Sequence, residues 1–435
     1  MNQYTFTAIH RNVLLGAIGL GIVCMILTWF GDTDAYHTRF WTNFLHNSVY
    51  FTMISVMALF FIATCITAYA GWHTTFKRVW EAYSMFLFVG LALLLIVAFG
   101  VYFHWHHLYH WSDEAGVEAD AILKGKSSFL NKNWYLFGTL IFVGTWAFFA
   151  HRLRSLSLEE DKSGNTSYAQ HKKMRVYAAV FLPIIGFTSA AMLWQWVMSV
   201  DAHWYSTLFA WYSTASAFVS MISLTILLLI FLKSNGYYGE VTANHIHDLG
   251  KFLFAISVFW TYLWFSQFML IWYANIGEET IYFRERYDNY PVLFFGNLII
   301  NFLVPFFILM RNDTKRKFGS VSFVAIVCLL GHWIDYFLMI KPGALINMQH
   351  AAGAGHSDAH GAESGHDMAA SAAGHAAEHA SPFVAGFSMP GLLEVGTFIG
   401  FLGLFLFVAL TILSKSALVP KNDPYLEESM HHHVI

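Results

Sequence analysis

Ionisable side chains inside long apolar runs are where chemistry is first sought, because holding them in hydrocarbon is costly. The most pointed pair is His332 and Asp335, three residues apart and so neighbours on one helical face. At about 1.5 Å per residue they lie roughly 18–22 Å into a helix that starts near residue 320, deep in the hydrocarbon zone. An imidazole beside a carboxyl at that depth suits a proton relay; a hydrogen-bonded core pair is the plainer alternative. A second group is His245, His247, Asp248 and Lys251. Steps of four and three residues put His247 with Lys251 and Asp248 with Lys251 on shared faces. That group fits a proton entry, or equally a capped and solvated helix start. A third lies in the turn from Trp194 to Thr207, where Asp201 and His203 stand among Trp196, Trp204 and Tyr205. Flat aromatic rings hold a quinone ring by apolar contact, and an acid and an imidazole take the two hydroxyl protons of a quinol. The competing reading is an aromatic interface belt in which Asp201 caps the next helix. The fourth is Gln267, Asn275, Glu278 and Glu279, followed by Arg284 and Arg286. It reads best as an ion-pair clasp at a helix end, with the arginines neutralising the glutamates. Glu394 is a weaker relay candidate.

These residues need elements to hold them, and the composition says which kind. Of 435 residues 57% are hydrophobic, 18% aromatic and only 12% charged. A soluble fold with so little charge would expose large apolar patches. A net charge of −3 gives no reason to expect nucleic acid. Cys24, Cys65 and Cys328 fall inside apolar runs and read as small buried hydrophobes. No CxxCH or cysteine-rich run is present, so neither covalent haem nor an iron–sulfur cluster is expected on this chain. His46 and His332 are the deep histidines, at different depths, so no b-type haem and no metal centre are expected either. Residues 12–30 end in Trp-Phe-Gly-Asp with no small-residue cleavage site, which reads as a retained helix.

Ten windows are long enough to cross a bilayer as helices: about 12–30, 45–69, 80–103, 134–151, 176–199, 209–232, 251–275, 292–310, 320–341 and 390–414. The alternation of a membrane barrel is absent. Pro183 and Pro305 fall within two of the windows and are expected to kink them. With the N-terminus inside, the inside connections hold seventeen Lys and Arg against seven outside. This predicts cytoplasmic termini. The outer connection 104–133 carries His104, His106, His107 and His110, and the outer connection 342–389 is rich in Ala, Gly and His. The second tract, with His350, His356, His360, His366, His375 and His379, reads as a solvated insertion lying over a partner, with weak metal binding as the rival. His431, His432 and His433 lack fixed ligand spacing in the same way.

The segments WQWVMSVDAHWYSTLFAWY and FSQFMLIWYANIGEETIYFRER resemble the ActF-type membrane subunits of bacterial alternative complex III, a quinol:cytochrome c oxidoreductase. Those subunits are similar to the polysulfide reductase membrane-anchor (NrfD-like) family. The likeness extends over essentially the whole chain. It implies two four-helix bundles, residues 45–207 and 208–341, with the first helix (1–44) and the last (390–435) flanking them and 342–389 as an outer loop. It also implies partners: a related ten-helix sister subunit, an iron–sulfur subunit, c-type cytochrome subunits and a terminal oxidase. Haem and iron–sulfur clusters would then sit in the partners, and this chain would at most contact quinone and transfer protons. Two rivals stand beside that expectation. One is a secondary transporter, although Pro183 and Pro305 sit at unmatched depths in the fifth and eighth windows. The other is a purely structural scaffold in the same complex.

Overall fold

The computed structural model describes residues 3–163, 168–357 and 383–433. Among them ten helices are long and apolar enough to span a membrane: Ala8–Gly31, Thr38–Thr67, Thr74–Tyr102, Lys132–Ser163, Ala169–Val200, Leu208–Ser234, Ala243–Ala274, Pro291–Leu309, Phe318–Ala351 and Leu392–Leu413. They are called the first to tenth helices below. Large apolar side chains such as Ile9, Phe30, Phe187 and Leu392 point outward. That is stable where the surroundings are lipid, since an exposed helix there needs only an apolar surface and a self-satisfied backbone. The chain is an all-α, multi-pass membrane protein.

The second, third, fourth and fifth helices pack in a ring, each against the next and the fifth back on the second; the sixth to ninth helices close a second ring in the same way. The rings meet where the second helix touches the sixth and ninth. These three are the most enclosed spans, with 89% of the second buried against 22% of the first. At their junction the Tyr50 hydroxyl bonds both Ser220 and the Leu329 carbonyl, at 2.9 and 2.7 Å. Ser and Thr along these helices bond back to the carbonyl four residues earlier, as Ser55, Ser213, Ser220 and Thr225 do. Their hydroxyls are thereby satisfied within the helix, and their small size lets neighbouring backbones approach.

The first and tenth helices pack on each other. A Cβ on Gly21 would stand 2.5 Å from Gly400 Cα, so only glycine fits this crossing, while Gly16 on the same helix faces open space. Gly400→Leu is expected to separate the two helices at a cost of about 1–3 kcal/mol, and Gly16→Leu to cost little. Thermal unfolding in detergent checks this, and equal midpoints for the two variants would refute the close packing. The Gln3 side chain reaches the Ser414 carbonyl at 2.6 Å. Both ends of the described chain therefore lie on one face, here the terminal face; the other is the far face.

Three expectations from the sequence need correction. The ninth helix does not stop at residue 341 but continues as Phe318–Ser357 through Pro342. The first part of the His-rich connection is therefore helical, while His360, His366, His375 and His379 lie outside the described residues. Lys341, one of the seven Lys and Arg assigned to the outside, is fully buried in that helix and donates to Thr42 Oγ1 at 2.8 Å. Lys77 and Arg78, also counted as connection charges, are buried in the first turns of the third span. Pro183 is taken up within a continuous helix. Pro305 follows a π-helical turn, Ile299–Leu303. A proline cannot donate to the carbonyl four residues back, here Asn301, and the wider turn absorbs that loss.

Candidate functional site

The Asp201 turn and the Arg286 segment come together on the far face. Arg286 lies on a short helix, Gly277–Asn289, that joins the seventh and eighth spans. Its Nη2 bonds Asp201 Oδ2 at 2.9 Å, its Nη1 the Tyr282 carbonyl at 2.9 Å, and its Nε the Leu338 carbonyl at 3.0 Å. The Leu338 contact has a cause in the sequence. Leu338 is four residues before Pro342, so its carbonyl has no helical donor, and a guanidinium fork supplies one. At Gly343, a Cβ would fall 2.6 Å from Asp201 Oδ1, so the Pro342–Gly343 step is the notch that admits the ion pair. The Tyr282 ring is held between the Trp204 ring, stacked at 3.9 Å and 13°, and the guanidinium, whose Cζ lies 3.3 Å from the ring centroid. Burial lowers a guanidinium pKa, but the stacked Tyr282 and the Asp201 carboxylate outweigh it here, so Arg286 is raised above its ordinary value.

Beneath this clasp lies Asp335, which with His332 is completely buried. Asp335 Oδ1 accepts from Tyr212 Oη in a short hydrogen bond and from Asn297 Nδ2 at 2.7 Å; Oδ2 accepts from Trp260 Nε1 at 2.9 Å. The amide chain runs one way, Asn301 donating to Asn297 Oδ1 at 2.6 Å and Asn297 to Asp335. The π-helical turn places Asn301 against Gly331, where no side chain would fit. His332 Nδ1 lies 2.9 Å from Ser216 Oγ and 3.9 Å from Asp335 Oδ2. Its Nε2 has no hydrogen-bond partner among the described residues. From Phe318 to Asp335 is 17 residues, about 25 Å of helix. A cavity of about 20 Å³, room for one water, lies between the two layers, lined by Tyr212, Gln267, Tyr282, Arg286 and Asn297 among others.

The remaining predicted residues divide differently from their sequence grouping. Asp201 and His203 do not face one ligand. Asp201 turns inward to Arg286, while half-exposed His203 meets Asp120 Oδ2 at 2.5 Å. Trp196 is core, its Nε1 donating to Thr139 Oγ1 at 3.0 Å. Tyr205 is exposed beneath the Lys126 ammonium, 5.2 Å away, and lines an apolar cavity of about 370 Å³ with Phe129, Met198 and Trp204. Neither Asp201 nor His203 lines it. Gln267, Asn275, Glu278 and Glu279 are likewise no single cluster. Gln267 is buried at the small cavity, Asn275 caps the seventh helix with φ 49°, and both glutamates stand in the first turn of the short helix. The expected neutralising arginines go elsewhere, Arg286 to Asp201 and Arg284 to Asp288 at 3.4 Å. The short helix carries its own solution, since acidic groups at a helix N-terminus are favoured by its dipole.

On the terminal face His245 belongs to a capping box. Its Nδ1 accepts from the Thr242 N–H at 3.0 Å and its Nε2 lies 3.0 Å from the Ser429 carbonyl. Lys251 pairs with Asp248 at 2.9 Å, and His432 of the tail meets the same carboxylate at 2.6 Å. His247 is buried with neither ring nitrogen hydrogen-bonded among the described residues. Glu394 is held by Arg39, at 2.8 and 3.1 Å, and by Asn43 at 3.0 Å. Sequence reasoning passed over Tyr212, Trp260, Asn297 and Asn301. Only the two asparagines left a trace, as amides four residues apart in an apolar run.

The Asp120–His203 contact has a measurable pH signature. Burial would raise the Asp120 carboxyl, but the His203 ring and the Leu123 and Ile122 N–H groups outweigh it and hold it below 3.8. A depressed folded pKa gives stability that is present above the unfolded value and lost as pH falls through the folded one. Asp120 caps the helix Ala121–Lys126, so amide exchange there, corrected for intrinsic rate, should rise below about pH 4. In Asp120→Asn that acid dependence should vanish; its persistence would show that another group is responsible.

No protein-family model matches the chain, and no curated protein matches it. The class is set by fold and site: an integral membrane protein with, among the described residues, ten helices long and apolar enough to span a membrane and a carboxylate buried inside the second ring.

Proposed function

We propose that this chain is a membrane subunit of a quinol-oxidising respiratory complex, without a redox centre of its own, and that Asp335 with His332 relays protons inside it. The observation that carries the relay is Asp335 itself. It is a fully buried acid, about 25 Å along its helix, with only neutral donors bonded to its oxygens. A structural role would be met more cheaply by apolar packing, so an acid at this depth calls for a function. Tyr212 reaches from Asp335 to the cavity under Arg286, and Ser216 continues the line beyond His332. Each hydroxyl both donates and accepts, as proton hand-over requires.

The respiratory assignment rests on the two segments that resemble alternative complex III subunits. They are distant in sequence yet form one interlocked unit through Asp201–Arg286 and Trp204–Tyr282. On this reading the apolar cavity beside Trp204 and Tyr205 is where a quinone ring contacts the chain. The terminal face is then cytoplasmic and the membrane is a bacterial inner membrane. The sister subunit, the iron–sulfur subunit and the c-type cytochromes are the partners. Purification from native membranes tests the assignment. Haem and iron–sulfur absorbance should co-purify with the chain. A preparation that contains this chain alone and is colourless would overturn the complex and favour a transporter.

A further inference from the structure

The terminal face holds a second buried polar assembly that the relay does not use. It gathers the ends of the fourth and fifth helices, the start of the third and the C-terminal segment. Lys77 pairs with Asp423 in a short contact, Arg78 pairs with Glu81 at 2.8 Å and Asp161 at 2.6 Å, and Arg154 approaches Glu81 at 3.5 Å. Three cations therefore face four carboxylates, the fourth being Glu160. Glu160 is the poorly served member. It is 4% exposed, neither of its oxygens has a hydrogen-bond partner among the described residues, and Lys77 stands off at 3.9 Å. Beside it His171, also 4% exposed, has neither ring nitrogen hydrogen-bonded among the described residues, and its Nδ1 is 3.6 Å from Glu160 Oε1. One ligand atom from each of Glu160, His171 and Asp423 lies within 4.8 Å of the other two.

Buried carboxylate and imidazole groups are normally hydrogen-bonded, because leaving them otherwise forfeits their hydration without replacement. Two buried groups without hydrogen bonds among the described residues and a shared focus are what a bound cation would resolve. We propose that Glu160, His171 and Asp423 form a binding site for one first-row divalent transition-metal ion. The donor set is two carboxylates and a neutral imidazole, a mixed oxygen and nitrogen set suited to Zn²⁺, Mn²⁺ or Fe²⁺. Ligand atoms up to 4.8 Å apart need to close by about an ångström to meet a metal at roughly 2.0–2.2 Å. Asp423 already holds Lys77 through Oδ2 and the Tyr425 N–H through Oδ1, so it would share an oxygen with the ion, while Glu160 and His171 would supply atoms without hydrogen-bond partners among the described residues. Two ligands come from neighbouring helix ends and the third from the tail, more than 250 residues further along the sequence. The ion would thus staple the C-terminal segment to the bundle. This inference is independent of the proton relay, which lies in the other ring.

Zn²⁺ titration of the full-length purified protein, after chelator treatment, is the test. The readout is a difference between wild type and variants, so any zinc taken up elsewhere on the chain cancels. Wild type should hold one more tight equivalent than His171→Ala or Glu160→Gln, with affinity at the site falling on the order of 10²-fold in each. Zn²⁺ should also protect the C-terminal segment from protease in wild type and not in the variants. Equal stoichiometry and equal protection would overturn the proposal. Where the variants fail to fold, the zinc K-edge spectrum of wild type loaded with a single equivalent decides. One imidazole with oxygen ligands supports the site, and a shell of several imidazoles places the zinc in the tract and overturns it.

Discussion

Asp335→Asn is expected to insert and assemble while losing proton-linked turnover by roughly 10²-fold or more, the scale of a lost positioned proton carrier. Asparagine keeps the volume, and its carbonyl can still accept from Tyr212 and Asn297 at the Oδ1 position. Its amide then meets the Trp260 N–H, donor against donor, where Asp335 Oδ2 accepts at 2.9 Å. That conflict costs about 1–3 kcal/mol, so some loss of stability accompanies the loss of turnover. Adding Trp260→Phe removes the opposing donor. The double variant should recover stability and stay inactive, which separates relay from scaffold. Thermal unfolding and a proton-uptake assay on the intact assembly read the two effects. Full turnover in an assembled Asp335→Asn protein would remove Asp335 from the relay and leave it a structural acid.

The second large effect is at Arg286. Arg286→Ala leaves Asp201 mostly buried without its cation, strips a donor from the Leu338 carbonyl and removes one face of the Tyr282 sandwich. Loss of one partner of such a pair costs about 3–5 kcal/mol. Arg286→Lys should recover only part of that, because an ammonium cannot reproduce a fork aimed at three acceptors. Pro342→Ala offers an internal check. Restoring the N–H at 342 gives the Leu338 carbonyl its helical donor, so Arg286→Ala should cost less in that background. Strict additivity of the two changes, read from detergent melts, would show that the proline does not create the need for the guanidinium.

How much of this was visible beforehand follows from range. Each spanning helix is a local matter, decided by roughly 20 apolar residues and a backbone that must bond to itself in lipid. All ten were therefore legible, with ends that moved where a helix ran on past a charge or a proline. His332 and Asp335 were legible as a pair for the same reason, since a three-residue step fixes neighbours on a helix. Asp201 with His203 looked like a pair by the same adjacency. A turn has no helical period to enforce it, and the two side chains point to different partners. Glu278 and Arg286 looked complementary, yet a better acceptor for Arg286 came from another connection.

The sequence by itself determined a ten-span helical membrane chain, its buried His–Asp step and the two segments that carry its resemblance. Only the tertiary structure decided that those segments interlock, that Pro342 frees a carbonyl for Arg286, and that Glu160, His171 and Asp423 converge. The reason is physical. Apolar length and helical period act over a few neighbouring residues, whereas the partner of a buried charge is whichever group packing delivers, from any distance along the chain.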